Sequence, residues 1–292
     1  MAEQAAAPHP NPLPTEAWGG GQRSEPRERG NDMTQEIEIK VDNGVQIIRI
    51  LRADKKNALT GPMYDAMSAA LDSAEKSEAV AAHVFIGSGG VFSAGNDIND
   101  FMRRSRDGSQ DVAPSQMFIQ RLPKVTRPMI AAVDGLAVGI GVTLLLHCDL
   151  VYATPAASFR TPFVDLGLIQ EAGSSVLGPA RLGYARAFEL FALGEAWGAA
   201  RAAEAGLVNA VVPADELETK ALAAARRLAA KPRAALLAAR RMLKGDPALI
   251  SKAIADEVSV YKDLMRSPEA KEAFTAFLEK RPPDFAKARR GG

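Results

Sequence analysis

Between Glu36 and Val41 apolar and polar side chains alternate, with Ile37, Ile39 and Val41 on one face. Asp42-Asn43-Gly44 interrupts the pattern, and Val45 to Ile50 follows. Such flanks around an Asn-Gly pair predict a β-hairpin, because Asn and Gly tolerate the positive φ angles of a tight hairpin turn. After Thr60-Gly61-Pro62 the period changes. Met63, Met67, Ala70, Leu71 and Ala74 recur at helical spacing, which predicts an amphipathic helix with Thr60 as cap and Pro62 in its first turn. Short apolar runs at Val80 to Ile86, Ile130 to Val133 and Leu150 to Ala153 read as buried strands. Gly139 to Cys148 reads as a glycine-punctuated apolar helix, and Val208 to Val212 as a late strand ended by Pro213. From Pro179 onward Ala, Leu, Arg and Glu predominate, and from Pro232 only helices are predicted. Strands alternating with helices predict an α/β fold of stacked βαβ units.

Residues 1–32 stand apart. They hold Pro8, Pro10, Pro12, Pro14 and Pro26, with only Leu13 and Trp18 as large apolar side chains. A segment with so little to bury cannot offset its ordering entropy, so a disordered extension is expected. It lacks the apolar centre of a signal peptide, and Met33 offers an alternative start. The expected organisation is therefore an extension over 1–32, a core over 33–230 and a helical region over 231–292. In the stretch 99–126, Met102, Met117, Phe118 and Ile119 flank a polar run containing Asp107-Gly108-Ser109, and packing is their default role.

Composition narrows the class. The 292 residues carry 36 basic and 35 acidic side chains, which leaves no electrostatic footprint for nucleic acid. The longest apolar run, Val138 to Leu146, is broken by glycines and far short of the roughly 20 residues of a membrane span. One cysteine excludes an intrachain disulfide and suits a reducing, cytoplasmic compartment. His9, His83 and His147 are scattered, so no metal site is expected.

Two glycine-containing segments carry the candidate chemistry. One is Phe92-Ser93-Ala94-Gly95-Asn96-Asp97-Ile98, directly after a strand and a glycine turn. The other is Ala131-Ala132-Val133-Asp134-Gly135 followed by Ala137-Val138-Gly139-Ile140-Gly141, entering an apolar helix. Each leaves backbone N–H groups unobstructed, and two of them converging on one point make an oxyanion hole. Neither segment alone is specific, since glycine at such junctions is more often turn geometry. Gly139-Ile140-Gly141 is followed by Leu144 where a dinucleotide fingerprint needs glycine, and there is no phosphate loop and no GxSxG elbow.

In this order the two segments resemble the enoyl-CoA hydratase/isomerase (crotonase) family, from about Met33 to Phe285. Lys56-Asn57-Ala58-Leu59, Cys148 to Ala153, Phe159 to Gly167 and Ala205 to Asn209 extend the likeness. The resemblance implies a crotonase-like spiral of ββα units with trailing helices, assembled as a homotrimer or a dimer of trimers. It implies an acyl-CoA substrate in fatty-acid metabolism and no cofactor, coenzyme A being part of the substrate. By position the oxyanion donors are the N–H groups of Asn96 and Ile140. Asn57, Ala58 and Leu59, together with Ala94, Gly95, Asp97 and Ile98, would hold the CoA thioester, with Gly141 and Phe163 beside it.

Carboxylates choose among the family's reactions. Hydratases of this kind use two glutamates around one water, and the matching positions here are Thr143 and Phe163. Neither side chain titrates near neutral pH. Leu168-Ile169-Gln170-Glu171-Ala172-Gly173-Ser174-Ser175 instead resembles the peroxisomal-type Δ3,Δ2-enoyl-CoA isomerases and bacterial relatives, in which the matching glutamate is the single acid/base. On residues alone, Glu171 would pair with Arg160 or Arg181 or face water. Isomerisation through a thioester dienolate is the leading expectation. Hydration or another lyase or hydrolase reaction of the family is the alternative, and a non-catalytic acyl-CoA-binding protein is the alternative outside it. His147 is expected to be a hydrogen-bonded core histidine, Cys148 packing, and Asp97, Asp134, Asp149 and Asp165 local structure.

Overall fold

The computed structural model describes residues 36–99 and 112–290. The expected extension over 1–32, Met102 and Asp107-Gly108-Ser109 lie outside the described residues. In chain order the elements are β1 (Ile37–Asp42), β2 (Val45–Ile50), α1 (Gly61–Glu75), β3 (Ala82–Ile86), α2 (Pro114–Arg121), β4 (Met129–Val133), β5 (Leu136–Val138) and α3 (Ile140–His147). Then come β6 (Leu150–Ala153), β7 (Ser158–Arg160), α4 (Ser174–Leu182), α5 (Tyr184–Phe188), β8 (Trp197–Gly198), α6 (Ala199–Glu204), β9 (Ala210–Val211) and α7 (Ala214–Ala229). Four helices close the chain: α8 (Arg233–Lys244), α9 (Pro247–Leu264), α10 (Pro268–Leu278) and α11 (Phe285–Arg290).

The hairpin forms as expected. β1 and β2 pair antiparallel with Asp42 opposite Val45, and Asn43 and Gly44 take φ 48° and 79° at the turn. β2, β3, β4, β6 and β9 then run parallel, so the main sheet has the order β1-β2-β3-β4-β6-β9. Its central strands are buried on both faces, which is why they read as unbroken apolar runs. Phe85, Ala131 and Val151 face the large core beneath α1 and α3, where Met63, Met67 and Leu71 also pack. Val84, Ile130 and Tyr152 face the other way, against Leu217, Ala221 and Ala225 of α7.

A second sheet was not legible. β5, β7 and β8 pair in that order, each only two or three residues long. Such strands are too short to show a period of two. The late strand is also shorter than its apolar run: Ala210 and Val211 pair with β6, while Val208 is core packing. At the other end, Ser267 caps α10, its Oγ accepting from the Ala270 N–H at 3.0 Å. That places Ala270 and Phe274 against Leu166 and Leu168, and the closing helices thereby cover the loop that follows β7.

Candidate active site

The first glycine segment is fixed by a staple of side chains. Asn57 adopts φ 54° and is fully buried. Its amide accepts from the Arg52 N–H at 2.9 Å and donates to the carbonyls of Ser88 (3.0 Å) and Val91 (2.6 Å). Arg52 in turn donates to the Ala58 carbonyl at 2.9 Å and to Asp97 Oδ2 at 2.8 Å. Leu59 N–H donates to the Gly95 carbonyl (2.7 Å) and Asp97 N–H to the Leu59 carbonyl (2.9 Å). Alternate N–H groups of a paired segment point to opposite sides. The N–H of Asn96 accordingly has no partner among the described residues. The Asn96 side chain is held by the Tyr64 hydroxyl, which donates to Oδ1 at 2.5 Å.

The second segment brings a helix start to the same place. Gly139 N–H donates to the Arg160 carbonyl at 3.0 Å, and the N–H groups of Val142 and Thr143 return to the Gly139 carbonyl. Ile140 opens α3, so its N–H has no intrahelical acceptor, and no described residue supplies one. The segments touch backbone to backbone, with Val138 N–H donating to the Ser93 carbonyl at 2.9 Å. A Cβ on Gly95 would stand 2.8 Å from the Val138 carbonyl oxygen, and one on Gly141 2.9 Å from that of Ser93. Glycine is therefore a steric requirement at both positions.

Glu171 completes the site. It lines one cleft together with Ala94, Gly95, Asn96, Ile98, Ile140 and Phe163. Its Oε1 is buried and has no hydrogen-bond partner among the described residues. Desolvation first, and the nearby Glu257 second, push its carboxyl up to about 7 from 4.5. Neither arginine neutralises it. Arg160 meets Asp165 at 3.4 Å, and Arg181 donates to the carbonyls of Leu145 and Cys148. Tyr261 of α9 also lines the cleft, and burial together with the Glu171 charge pushes its phenol up, so it is neutral at neutral pH.

Several expected positions support the cleft rather than line it. Asn57 and Leu59 are buried with their side chains engaged in the loop, and Asp97 is held by Arg52 and by the Asn99 N–H. Ala58 and Gly141 likewise lie outside the lining, Gly141 because it backs onto Ser93. Thr143 is fully buried, and Phe163 forms apolar wall. Among the described residues lining the cleft, Glu171 is the one carboxylate. Tyr261 and Phe274 were not read as site residues. An aromatic on an amphipathic helix has the same pattern whether it packs in a core or against a ligand, and only the fold of α9 and α10 over the cleft distinguishes the two.

Other polar groups have local work. Asp134 accepts from Thr154 Oγ1 at 2.7 Å, and Asp149 accepts from the Met129 N–H while pairing with Arg240 at 2.8 Å. Cys148 is a buried thiol pushed up to about 12 by desolvation, which leaves it unreactive. A larger groove beside the hairpin turn is lined by Asn43, Glu78, Arg226 and Arg233. Its arginines are already paired with Asp42 and Glu78, so it presents no comparable chemistry. Among the described residues no group of three or more His, Cys, Asp or Glu is placed to hold a metal ion. No described helix is long and apolar enough to cross a membrane.

Comparison with known proteins identifies the family. The model of the enoyl-CoA hydratase/isomerase family matches residues 40–288. Enoyl-CoA delta isomerase 2 of Rattus norvegicus is 31 % identical over 252 residues, covering 84 % of this chain, which spans 64 % of that protein. A probable enoyl-CoA hydratase of Rhodobacter capsulatus is 33 % identical over 251 residues, 85 % of this chain and 97 % of that one. The crystal structure of an enoyl-CoA hydratase/isomerase from Pseudoalteromonas atlantica superposes with TM-score 0.81 at 32 % identity, over 86 % of this chain and 100 % of that one. The chain belongs to the enoyl-CoA hydratase/isomerase family: it has the crotonase fold and is an enzyme of acyl-CoA chemistry.

Proposed function

We propose that this enzyme is a Δ3,Δ2-enoyl-CoA isomerase with one general acid/base, Glu171. The observation that carries the reading is a carboxylate with one buried oxygen that, like the N–H groups of Asn96 and Ile140 in the same cleft, has no partner among the described residues. In a 3-enoyl thioester the carboxylate takes a proton from C2. The electron pair moves through C1 to the thioester oxygen, where the two N–H groups stabilise the dienolate. Collapse of the dienolate draws the same proton to C4, leaving the double bond between C2 and C3 and the carboxylate restored. The oxyanion donors contribute on the order of 3–4 kcal/mol each by comparison with other such sites. A base near 7 both accepts and returns a proton readily at neutral pH.

Hydration needs a second group to hold and protonate around the water, and Thr143 and Phe163 occupy those positions. Product analysis distinguishes the reactions. Purified protein given a 3-enoyl-CoA is expected to form the conjugated 2-enoyl thioester, and given a 2-enoyl-CoA to form no 3-hydroxyacyl product. Hydroxylated product without isomerisation would overturn the reading, and acyl-CoA affinity without any turnover would favour the binding-protein alternative.

We also propose assembly into trimers or dimers of trimers, no cofactor, a cytoplasmic location, and a role in fatty-acid breakdown. In support of assembly, Met242 and Leu243 of α8 are 77 % and 88 % exposed, and Leu249 of α9 and Phe188 of α5 also face outward. Two adjacent apolar side chains this exposed, Met242 and Leu243, support an interaction surface on α8. The loops at 57–59 and 94–98 are the proposed CoA-binding segments, contributing backbone groups where their side chains are engaged.

A further inference from the structure

Glu257 of α9 is a buried carboxylate with no part in the reaction just described, being 5 % exposed. Its oxygens are fully engaged. Oε2 accepts from the Gly173 N–H at 2.7 Å, and Oε1 accepts from the Ser175 N–H at 2.8 Å and from Ser175 Oγ at 2.5 Å. All three donors lie two to four residues beyond Glu171. The intervening turn is an unusual one, since Ala172 has φ 61° and Gly173 φ 75°. Left-handed backbone at a non-glycine residue persists only where its surroundings hold it. From α3, His147 reaches the Ala172 carbonyl, its Nε2 at 2.6 Å. Burial holds that ring well below its usual range, at about 4, so it is neutral, with the Nε2 proton donated to the carbonyl.

We propose that Glu257 is a positioning residue for Glu171: its three hydrogen bonds to Gly173 and Ser175 fix the turn that presents the Glu171 carboxyl to the cleft. Burying a carboxylate is costly unless it is hydrogen-bonded, so Glu257 and the turn each require the other. The assignment rests on Glu171 being the acid/base. It also adds a consequence for proton affinity. Glu257 is the charged group whose repulsion, after desolvation, raises Glu171. The other titratable groups facing the turn are Tyr261 from α9 and His147 from α3, both neutral at neutral pH. Burial raises the Glu257 carboxyl above its ordinary value, the hydrogen bonds from Ser175 and Gly173 oppose that rise, and Asp256 on the same helix adds to it.

The test uses Glu257→Gln and Glu257→Asp in the full-length protein. Infrared difference titration, with Glu171→Gln as the subtraction reference, reads the Glu171 carboxyl without substrate. Wild type is expected to titrate near neutrality and Glu257→Gln lower by about one pH unit. Glu257→Asp keeps the charge and shortens the reach, so its titration stays near wild type while kcat with a 3-enoyl-CoA falls about 10- to 100-fold at nearly constant KM. If Glu257→Gln does not fold, Glu257→Asp alone decides through that split. An unchanged titration in Glu257→Gln together with wild-type kcat in Glu257→Asp overturns the proposal, as does a change in KM alone. Absence of turnover in wild type with the expected infrared shift overturns the isomerase reading and leaves the positioning role standing.

Discussion

Glu171 carries an uncompensated proton site: a buried oxygen with no hydrogen-bond donor among the described residues. Its elevation to about 7 fixes the sign of the pH dependence. The base works unprotonated, so kcat/KM is expected to fall with one proton below pH 7, to about a tenth of its high-pH plateau at pH 6. Glu171→Gln retains the shape and removes the proton acceptor, with an expected loss of about 10²–10⁴-fold. At this scale the positions that resemblance named, Glu171, Asn96 and Ile140, line one cleft, while their roles stay a proposal. Tyr261 and Glu257 were not legible. They lie some ninety residues downstream of Glu171 on a helix whose own pattern says only that one face is buried.

Elements position the proposed oxyanion donors through close backbone contact. The Gly95 and Gly139 segments meet without side chains between them, and Gly95 has φ 87°. Gly95→Ala therefore adds both a strained φ and a contact with the Val138 carbonyl, an expected cost of about 1–3 kcal/mol. That should appear as a thermal midpoint lower by about 2–4 °C per kcal/mol, with loss of activity beyond what the lower stability explains. A wild-type midpoint and rate would show that the segments can separate freely. Strands β3, β4 and β6 were readable because both of their faces are buried. The second sheet was not, because pairing between Leu136–Val138 and Ser158–Arg160 is a tertiary event that no local pattern marks.

Across the whole molecule, the active site and stability pull in opposite directions. Glu171 binds its proton more tightly folded, at about 7, than its ordinary 4.5. The folded state therefore loses stability as pH rises through this window. Glu171→Gln removes the charge and is expected to melt above wild type at pH 8, by up to about 3 kcal/mol, with the gap shrinking toward pH 5. Neutral His83 and His147 destabilise both proteins alike as pH falls, because each must charge to unfold into acid. The proposed assembly would use the exposed face of α8. Met242→Glu with Leu243→Glu is expected to yield a monomer by light scattering, where wild type gives a trimer or a multiple of it.

The central claim is one carboxylate, one cleft and one displaced double bond. Conversion of a 3-enoyl-CoA to its conjugated 2-enoyl isomer, followed by absorbance for wild type and for folded Glu171→Gln, tests it most directly. Rapid conversion by wild type and near-complete loss in Glu171→Gln is the expected result; equal rates in the two proteins, or none in wild type, would contradict it.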